Sequence, residues 1–328
     1  MIDLETLSLT EAIRLQSELS TLISKKFERP VALVFSDIVG STPYFARFGN
    51  EAGRSLQQRH FDHIQSVITE RGGRVVDTAG DGAFLCFPHA EAACSAMTEL
   101  QRRISADNFH RPREHQLAVR IGIHWGNVLT DSVVVTGDAV NLSSRVASSS
   151  RPGEIRITRQ VYSELPSAMR IRCKPLEPIE LKGIEHKVIL MELIWWDPSR
   201  FPECVRIENS GEQLQLPALD TISFGRISEL DGVKANDIVI KLPEERLNNM
   251  VSRWHFELRR RPDGFVLRSV SSQLTEVDGR ILQKGEEAEV RVGTSVVTDL
   301  GDQQGRLVQT SQADCDVERA ATNVLGIV

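Results

Sequence analysis

Apolar positions recur at helical spacing near the start of the chain. Within residues 4–27, Leu15, Leu19, Leu22 and Ile23 fall at i, i+4, i+7 and i+8, one stripe of an amphipathic helix that Pro30 brings to an end. The stripe suits either a helix lying on its own domain or a short dimerising coiled coil. VALVFSDI (31–38) then reads as a buried strand, being a continuous apolar run of strand length. A long helical stretch over 43–71 stops at Gly72-Gly73. GRVVDT and AFLCF flank Ala79-Gly80-Asp81-Gly82, which predicts a hairpin with glycine where positive φ is needed. Residues 89–106 predict a helix around Ala92, Ala93, Ala96, Met97 and Leu100. LAVRIGIHWG (117–126) and VVVTG read as strands, and 138–149 as a short helix with Asp138 where the dipole favours a carboxylate. GEIRIT, KPLEPIEL and KVILMELIWW close the unit near residue 196. Strands and helices are mixed rather than alternating, so the fold class is α+β with a largely antiparallel sheet.

The pattern changes after WWDPSRFPEC, where two prolines interrupt the periodicity. Beyond residue 200 come short strands and frequent turns (Asp231-Gly232, Pro262-Asp263-Gly264, Asp278-Gly279), the pattern of an all-β sandwich. The expected organisation is an N-terminal amphipathic helix (1–27), an α+β domain (28–197), a β domain (198–310) and a tail (311–328).

Bulk properties narrow the function. The chain has 328 residues, 41% hydrophobic and 26% charged, enough for two cores. A net charge of -6 gives no global reason to expect nucleic acid or an anionic membrane as partner. No apolar run reaches the roughly 20 residues of a membrane span, and the acidic start is unlike a secretory signal. The five cysteines (Cys86, Cys94, Cys173, Cys204, Cys315) are scattered without a Cys-x-x-Cys pair. They read as buried free thiols in a reducing compartment, and the cytoplasm is the expected location.

Two aspartates carry candidate chemistry. Asp37 leaves the buried strand and Asp81 sits at a hairpin tip, each beside small residues (Gly40, Ser41; Gly80, Gly82) that leave room for a ligand. Converging carboxylates at a sheet edge suit phosphoryl transfer with two magnesium ions, although taken singly Asp37 could cap a helix and Asp81 shape its turn. Asn141 and Arg145 lie four apart on one helical face. An amide there can orient a ribose, and a guanidinium can neutralise a phosphate.

FSDIVGST, GGRVVDTAGDGAFLCF, RIGIHWGNV, GDAVNLSSR and IELKGI, in that order over roughly residues 28–196, resemble the class III adenylate/guanylate cyclases. The resemblance implies a ferredoxin-like catalytic domain that forms a head-to-tail homodimer with sites shared across the interface. It implies two Mg2+ or Mn2+ held by Asp37, Asp81 and the backbone carbonyl of Ile38, with Asn141 and Arg145 supplied by the other protomer. The ribose 3'-hydroxyl of ATP or GTP would attack the α-phosphorus and release pyrophosphate, and Lys182 is a candidate triphosphate contact. Base reading departs from the pattern. Where adenylate cyclases carry a Lys and an Asp or Thr, this chain has Asp77 and Val134. An ionised carboxylate only accepts, which suits guanine N1–H and N2–H but also the adenine N6 amine.

In the β region, FGR (224–226), VSRWHFEL (251–258) and SSQLTEVDGRIL (271–282) resemble forkhead-associated (FHA) domains, which read phosphothreonine. The resemblance implies that Arg226 and Ser252, with Arg253 beside them, hold the phosphate of a threonine-phosphorylated protein or of the chain's own phosphorylated segment, while His255 braces the loop. The family's Asn-Gly-Thr turn appears here as Gln273-Leu274-Thr275, and its later Asn-Gly as Asp278-Gly279. The expected function is a regulated nucleotidyl cyclase. The alternative is a catalytically degenerate cyclase domain in a non-enzymatic FHA signalling adaptor.

Overall fold

A computed structural model describes residues 8–311 apart from 132, 198, 199, 208–210, 218, 231, 243, 262, 263 and 300–303. The expected tail beyond 311, residues 1–7, and the turn residues Asp231, Pro262 and Asp263 therefore lie outside the described residues. The chain divides into two compact units, residues 1–101 with 117–195, and residues 102–116 with 196–328.

The first unit is α+β. Its elements are α1 (Leu9–Phe27), β1 (Glu28–Ile38), α2 (Ser41–Ile68), β2 (Arg74–Ala79), β3 (Gly82–Phe87), the part of α3 (Ala90–Phe109) up to residue 101, β4 (Val119–Thr130), β5 (Val135–Thr136), α4 (Asp138–Ser149), β6 (Ile155–Thr158), α5 (Arg159–Glu164), α6 (Ser167–Arg170), β7 (Cys173–Pro175) and β8 (Leu190–Leu193). The sheet runs β2-β3-β1-β4-β6-β8-β7 with β5 on β4. All pairings are antiparallel except β4 with β6, so the expected mixture is what forms. β1 lies between β3 and β4, which is why Ala32, Leu33 and Val34 are fully buried and the run is apolar without alternation.

Several boundaries differ from the sequence reading. β1 begins at Glu28 rather than Val31 and takes in Pro30, which is tolerated because β1 is paired there with β4 alone, the β3 pairing beginning at Ala32. α2 is broken at Gly49 (φ 82, ψ 175), beyond which Gly53, Leu56, His60, Ile64 and Val67 form its buried stripe. α5 and α6 are too short to show periodicity. α1 opens with a capping box between Ser8 and Glu11. None of its residues is buried, so its apolar stripe is not packed into a core of its own unit.

The second unit holds two principal sheets. One contains the strands Thr221–Gly225, Phe256–Arg261, Gly264–Ser269 and Glu287–Val290; the other contains Cys204–Ile207, Thr275–Val277 and Ser295–Asp299. Phe224, Phe256, Val205, Leu267 and Val308 pack into one core, the layered arrangement of a β-sandwich. Asp278 (φ 48) and Gly279 (φ 85) are both left-handed and form the tight turn that the Asp-Gly pair predicts.

Cys86, Cys94 and Cys173 are free. Cys204 is disulfide-bonded, which corrects the expectation that every cysteine is a free thiol. Scattered spacing does not by itself reveal which thiols come within bonding distance. Among the described residues no helix is long and apolar enough to cross a membrane.

Candidate active site

Strand register sets the backbones of the two aspartates at the same end of one strand pair. β1 pairs with β3 through Phe35↔Phe84 and Ser36↔Ala83. Continuing that register sets Asp37 and Ile38 abreast of Gly82 and Asp81. The β2–β3 turn is the pair Gly80-Asp81, closed by Ala79↔Gly82, and Gly80 takes φ 63, which a side chain would strain. Asp37 opens into a cleft of about 730 Å³ whose wall includes Phe35, Asp77, Phe84, Val134 and Ser144. Phe35 and Phe84 stack at 4.6 Å and 8°, giving the cleft a flat apolar floor.

Arg120 and His60 complete this region, and sequence reasoning missed both. Arg120 lies opposite Asp37 in the β1–β4 register. Its Nη2 and Nε donate to Asp37 Oδ2 at 2.6 and 2.9 Å, and its Nη1 reaches the Ser148 carbonyl at 3.4 Å. An arginine inside the apolar run of residues 117–123 was the available signal. His60 is fully buried on α2, with Nε2 2.8 Å from Ser36 Oγ and Nδ1 3.1 Å from the Asp81 carbonyl. A carbonyl only accepts, so Nδ1 carries the proton, and Nε2 accepts from the Ser36 hydroxyl. Burial lowers the His60 pKa to about 4, against the raising effect of the Asp81 carbonyl bond, which keeps the ring neutral. The signal in the sequence was a histidine at an apolar position, between Leu56 and Ile64.

The other candidate residues occupy different ground. On α4, Val140, Ser144, Ala147 and Ser148 line the cleft, whereas Asn141 and Arg145 lie on another face. Asn141 is exposed, and Arg145 Nη1 donates to the Gly183 carbonyl at 3.0 Å. Gly183 (φ 71) keeps the loop close to that guanidinium, and the neighbouring Lys182 is exposed. Asp77 is exposed and its carboxylate accepts from the Thr78 N–H at 2.8 Å. Val134 is exposed at the rim, its N–H held by Asp131 at 2.7 Å. The single chain thus gathers Asp37, Asp77 and Val134 at one cleft, with Asp81 on the turn next to its Gly82 wall, and Asn141, Arg145 and Lys182 are not among the lining residues.

The donors near Asp37 and Asp81 are hard oxygens, the type that Mg2+ and Mn2+ take. Among the described residues no group of three His, Cys, Asp or Glu side chains could hold a metal. An ion here would therefore complete its shell with the Ile38 carbonyl, water and phosphate oxygens, as magnesium sites usually do. On this chemistry the residues fit a divalent ion.

A second cluster lies in the β-sandwich. The Arg226 N–H donates to the Ser252 carbonyl at 3.1 Å, and its guanidinium donates to the Asn249 side chain. The Ser252 and Ser271 hydroxyls bond one another. His255 is buried, with Nδ1 accepting from the Ser252 N–H at 3.2 Å and Nε2 near Thr275 Oγ1 at 3.4 Å. Asn236 donates to the Ile227 and Arg253 carbonyls at 2.8 and 2.7 Å, stitching the two loops. Arg226 and Ser252 therefore sit on adjoining loops, and the Arg253 side chain is exposed beside them.

An α+β sheet with Asp37 on its central strand, followed by a β-sandwich, defines the class of fold. Residues 23–194 match the family described as the adenylate and guanylate cyclase catalytic domain, and the chain belongs to that family. Residues 210–298 match the FHA domain. Adenylate cyclase 2 of Rhizobium meliloti is 23% identical over 193 residues, covering 53% of this chain and 53% of that protein. A receptor-type adenylate cyclase of Trypanosoma congolense is 26% identical over 211 residues, covering 52% of this chain and 28% of that protein. The chain thus spans about half or less of the length of these curated relatives. A solved adenylate/guanylate cyclase/hydrolase from Silicibacter pomeroyi is 26% identical with a TM-score of 0.46, covering 51% of this chain and 97% of that one.

Proposed function

We propose that the chain is a nucleotidyl cyclase that converts ATP, or GTP, to a 3',5'-cyclic nucleotide and pyrophosphate. The observation that supports this reading is the β1–β3 register, whose last pair Ser36↔Ala83 leaves Asp37 and the Gly80-Asp81 turn at the same end of the ladder, with Asp37 and Gly82 on the cleft wall. Asp37, Asp81 and the Ile38 carbonyl would hold two Mg2+ or Mn2+ ions. When bound, such ions lower the pKa of an attacking hydroxyl and neutralise charge on the phosphates. Arg120, paired with Asp37, adds a cation that can turn toward the triphosphate.

The reading requires a homodimer. Asn141 and Arg145 face away from their own chain's cleft-lining residues, which suits their entering the site of a second copy. There Asn141 would orient the ribose, and Arg145 would stabilise charge on the α-phosphate as the 3'-oxygen attacks in line. Lys182 is the weaker contact to the triphosphate. Leu19, Leu22 and Ile23 are exposed along α1 and support pairing of the helices in that dimer. The proposed location is the cytoplasm, where the nucleotide substrate is held.

The FHA domain would regulate the enzyme by binding a threonine-phosphorylated protein or a phosphorylated segment of its own chain. Arg226 and Ser252 would hold the phosphate and Arg253 would flank it, through charge-assisted bonds.

Product formation with Mn2+ or Mg2+, using ATP and GTP separately, tests the chemistry. Asp37→Ala and Asn141→Ala should each be silent, while their mixture should regain about a quarter of wild-type activity, since half the dimers carry one intact site. A silent mixture would rule out the shared site. No cyclic product from either nucleotide would leave the non-enzymatic FHA adaptor as the function.

A further inference from the structure

We propose that His60 is a positioning residue that ties the two acidic arms of the site into one unit, holding β1 at Ser36 and the β2–β3 hairpin tip at the Asp81 carbonyl. This rests on the reading of Asp37 and Asp81 as the metal pair.

The position of His60 in α2 makes its role specific. It occupies the middle of the stripe Gly53, Leu56, His60, Ile64, Val67, where a leucine would serve helix packing at less cost. A buried imidazole is unfavourable unless its nitrogens are satisfied. Both are, and both partners belong to the candidate site rather than to the helix core. Ser36 immediately precedes Asp37, and the strand's alternation sends the two side chains to opposite faces. Ser36 can therefore bond α2 while Asp37 opens to the cleft.

The second contact constrains the other arm. The Gly80-Asp81 turn follows the Ala79↔Gly82 pair and extends beyond the ladder, and the Asp81 carboxylate hangs from the residue whose carbonyl accepts from His60. One rigid ring thus spans from the backbone of one aspartate to the neighbour of the other. Its tautomer is fixed at both ends, because Nδ1–H must donate and Nε2 must accept. Holding ligand-bearing segments through such outer contacts tunes metal affinity without touching the metal.

The test is binding of Mn2+ alone to the full-length protein, followed by loss of the free-ion EPR signal, with melting curves on every variant. Asp37→Ala and Asp81→Ala come first. If both bind Mn2+ as wild type does, the metal reading of the pair fails, and the proposal falls with it. If they lose binding, His60→Leu, similar in volume but without either bond, should weaken Mn2+ binding about tenfold or more in folded protein. His60→Asn, which can keep the donor to Asp81, and Ser36→Ala, which removes only the β1 contact, should each weaken it about threefold. In the cyclase assay the Mn2+ requirement should rise while the nucleotide KM stays put, a split that general loosening of α2 would not give. Folded His60→Leu within about twofold of wild type overturns the proposal, as do His60→Asn and Ser36→Ala both within that range should His60→Leu fail to fold.

Discussion

Asp37 and Arg120 face each other across β1 and β4 as register partners, with Arg120 Nη2 2.6 Å from Asp37 Oδ2. Their side chains are 30% and 34% exposed, so water screens the pair and its contribution to stability is about 1 kcal/mol or less. On the proposed function its chemical effect would be larger, because the guanidinium bonds the carboxylate that would hold a metal ion. Arg120→Ala should lower the melting midpoint only slightly and tighten Mn2+ binding in the absence of nucleotide. It should cut kcat about tenfold or more by removing positive charge near the triphosphate. Unchanged kcat would show that Arg120 only holds the strand.

Asp77 and Val134 line the cleft wall, and on the proposed function they would read the base. Asp77→Lys replaces an acceptor with a donor toward adenine N1. The ratio of ATP to GTP turnover should rise about tenfold, the value of one hydrogen bond. A ratio that does not move would place the base elsewhere.

Two glycines fix close approaches that an added methyl group would break. A Cβ at Gly122 would lie 2.1 Å from the Ala147 backbone nitrogen, and one at Gly225 would lie 2.0 Å from the Arg253 carbonyl oxygen. Gly122→Ala should push α4 off β4 at a cost of about 1–3 kcal/mol. Because α4 carries Asn141 and Arg145, cyclase activity should fall further than stability, as measured by melting and turnover on the same sample. Gly225→Ala should leave turnover intact and spoil the loop pair around Ser252.

Arg226→Ala and Ser252→Ala should each weaken binding of a phosphothreonine peptide about tenfold or more, leaving binding of the unphosphorylated peptide unchanged. Calorimetry with the paired peptides distinguishes this from general loss of affinity. Equal binding of both peptides by wild type would remove phosphate recognition from the proposed regulation.

Acid should destabilise the fold through buried neutral histidines. Burial lowers His124 and His255 from 6.5 to about 4, with the Leu274 backbone bond acting the other way on His255. Between those values the unfolded chain takes up protons that the folded chain refuses. Stability is thus present above pH 6.5 and lost as pH falls toward 4, by roughly 3 kcal/mol for each ring at the lower end. The melting midpoint should drop across that window, and His124→Gln and His255→Gln should each flatten the slope. An unaltered slope in both variants would assign the acid sensitivity to His60 or to carboxylates.

The sequence alone determined the elements whose cause is local. The apolar run of β1, the helix at 138–149 and the left-handed Gly80 and Asp278-Gly279 turns follow from neighbouring residues and their periodicity. The ordered motifs identified the cyclase and FHA families for the same reason, since each is a short contiguous string. Only the tertiary structure decided what crosses between elements. Arg120 reaches Asp37 across 83 residues of chain and His60 reaches Ser36 across 24; neither pairing leaves a periodic trace. Gly49 breaks α2 within an otherwise helical pattern, and Cys204 forms a bond that spacing did not suggest. Register and packing set those relationships, and both are properties of strands and helices brought together rather than of any one stretch of sequence.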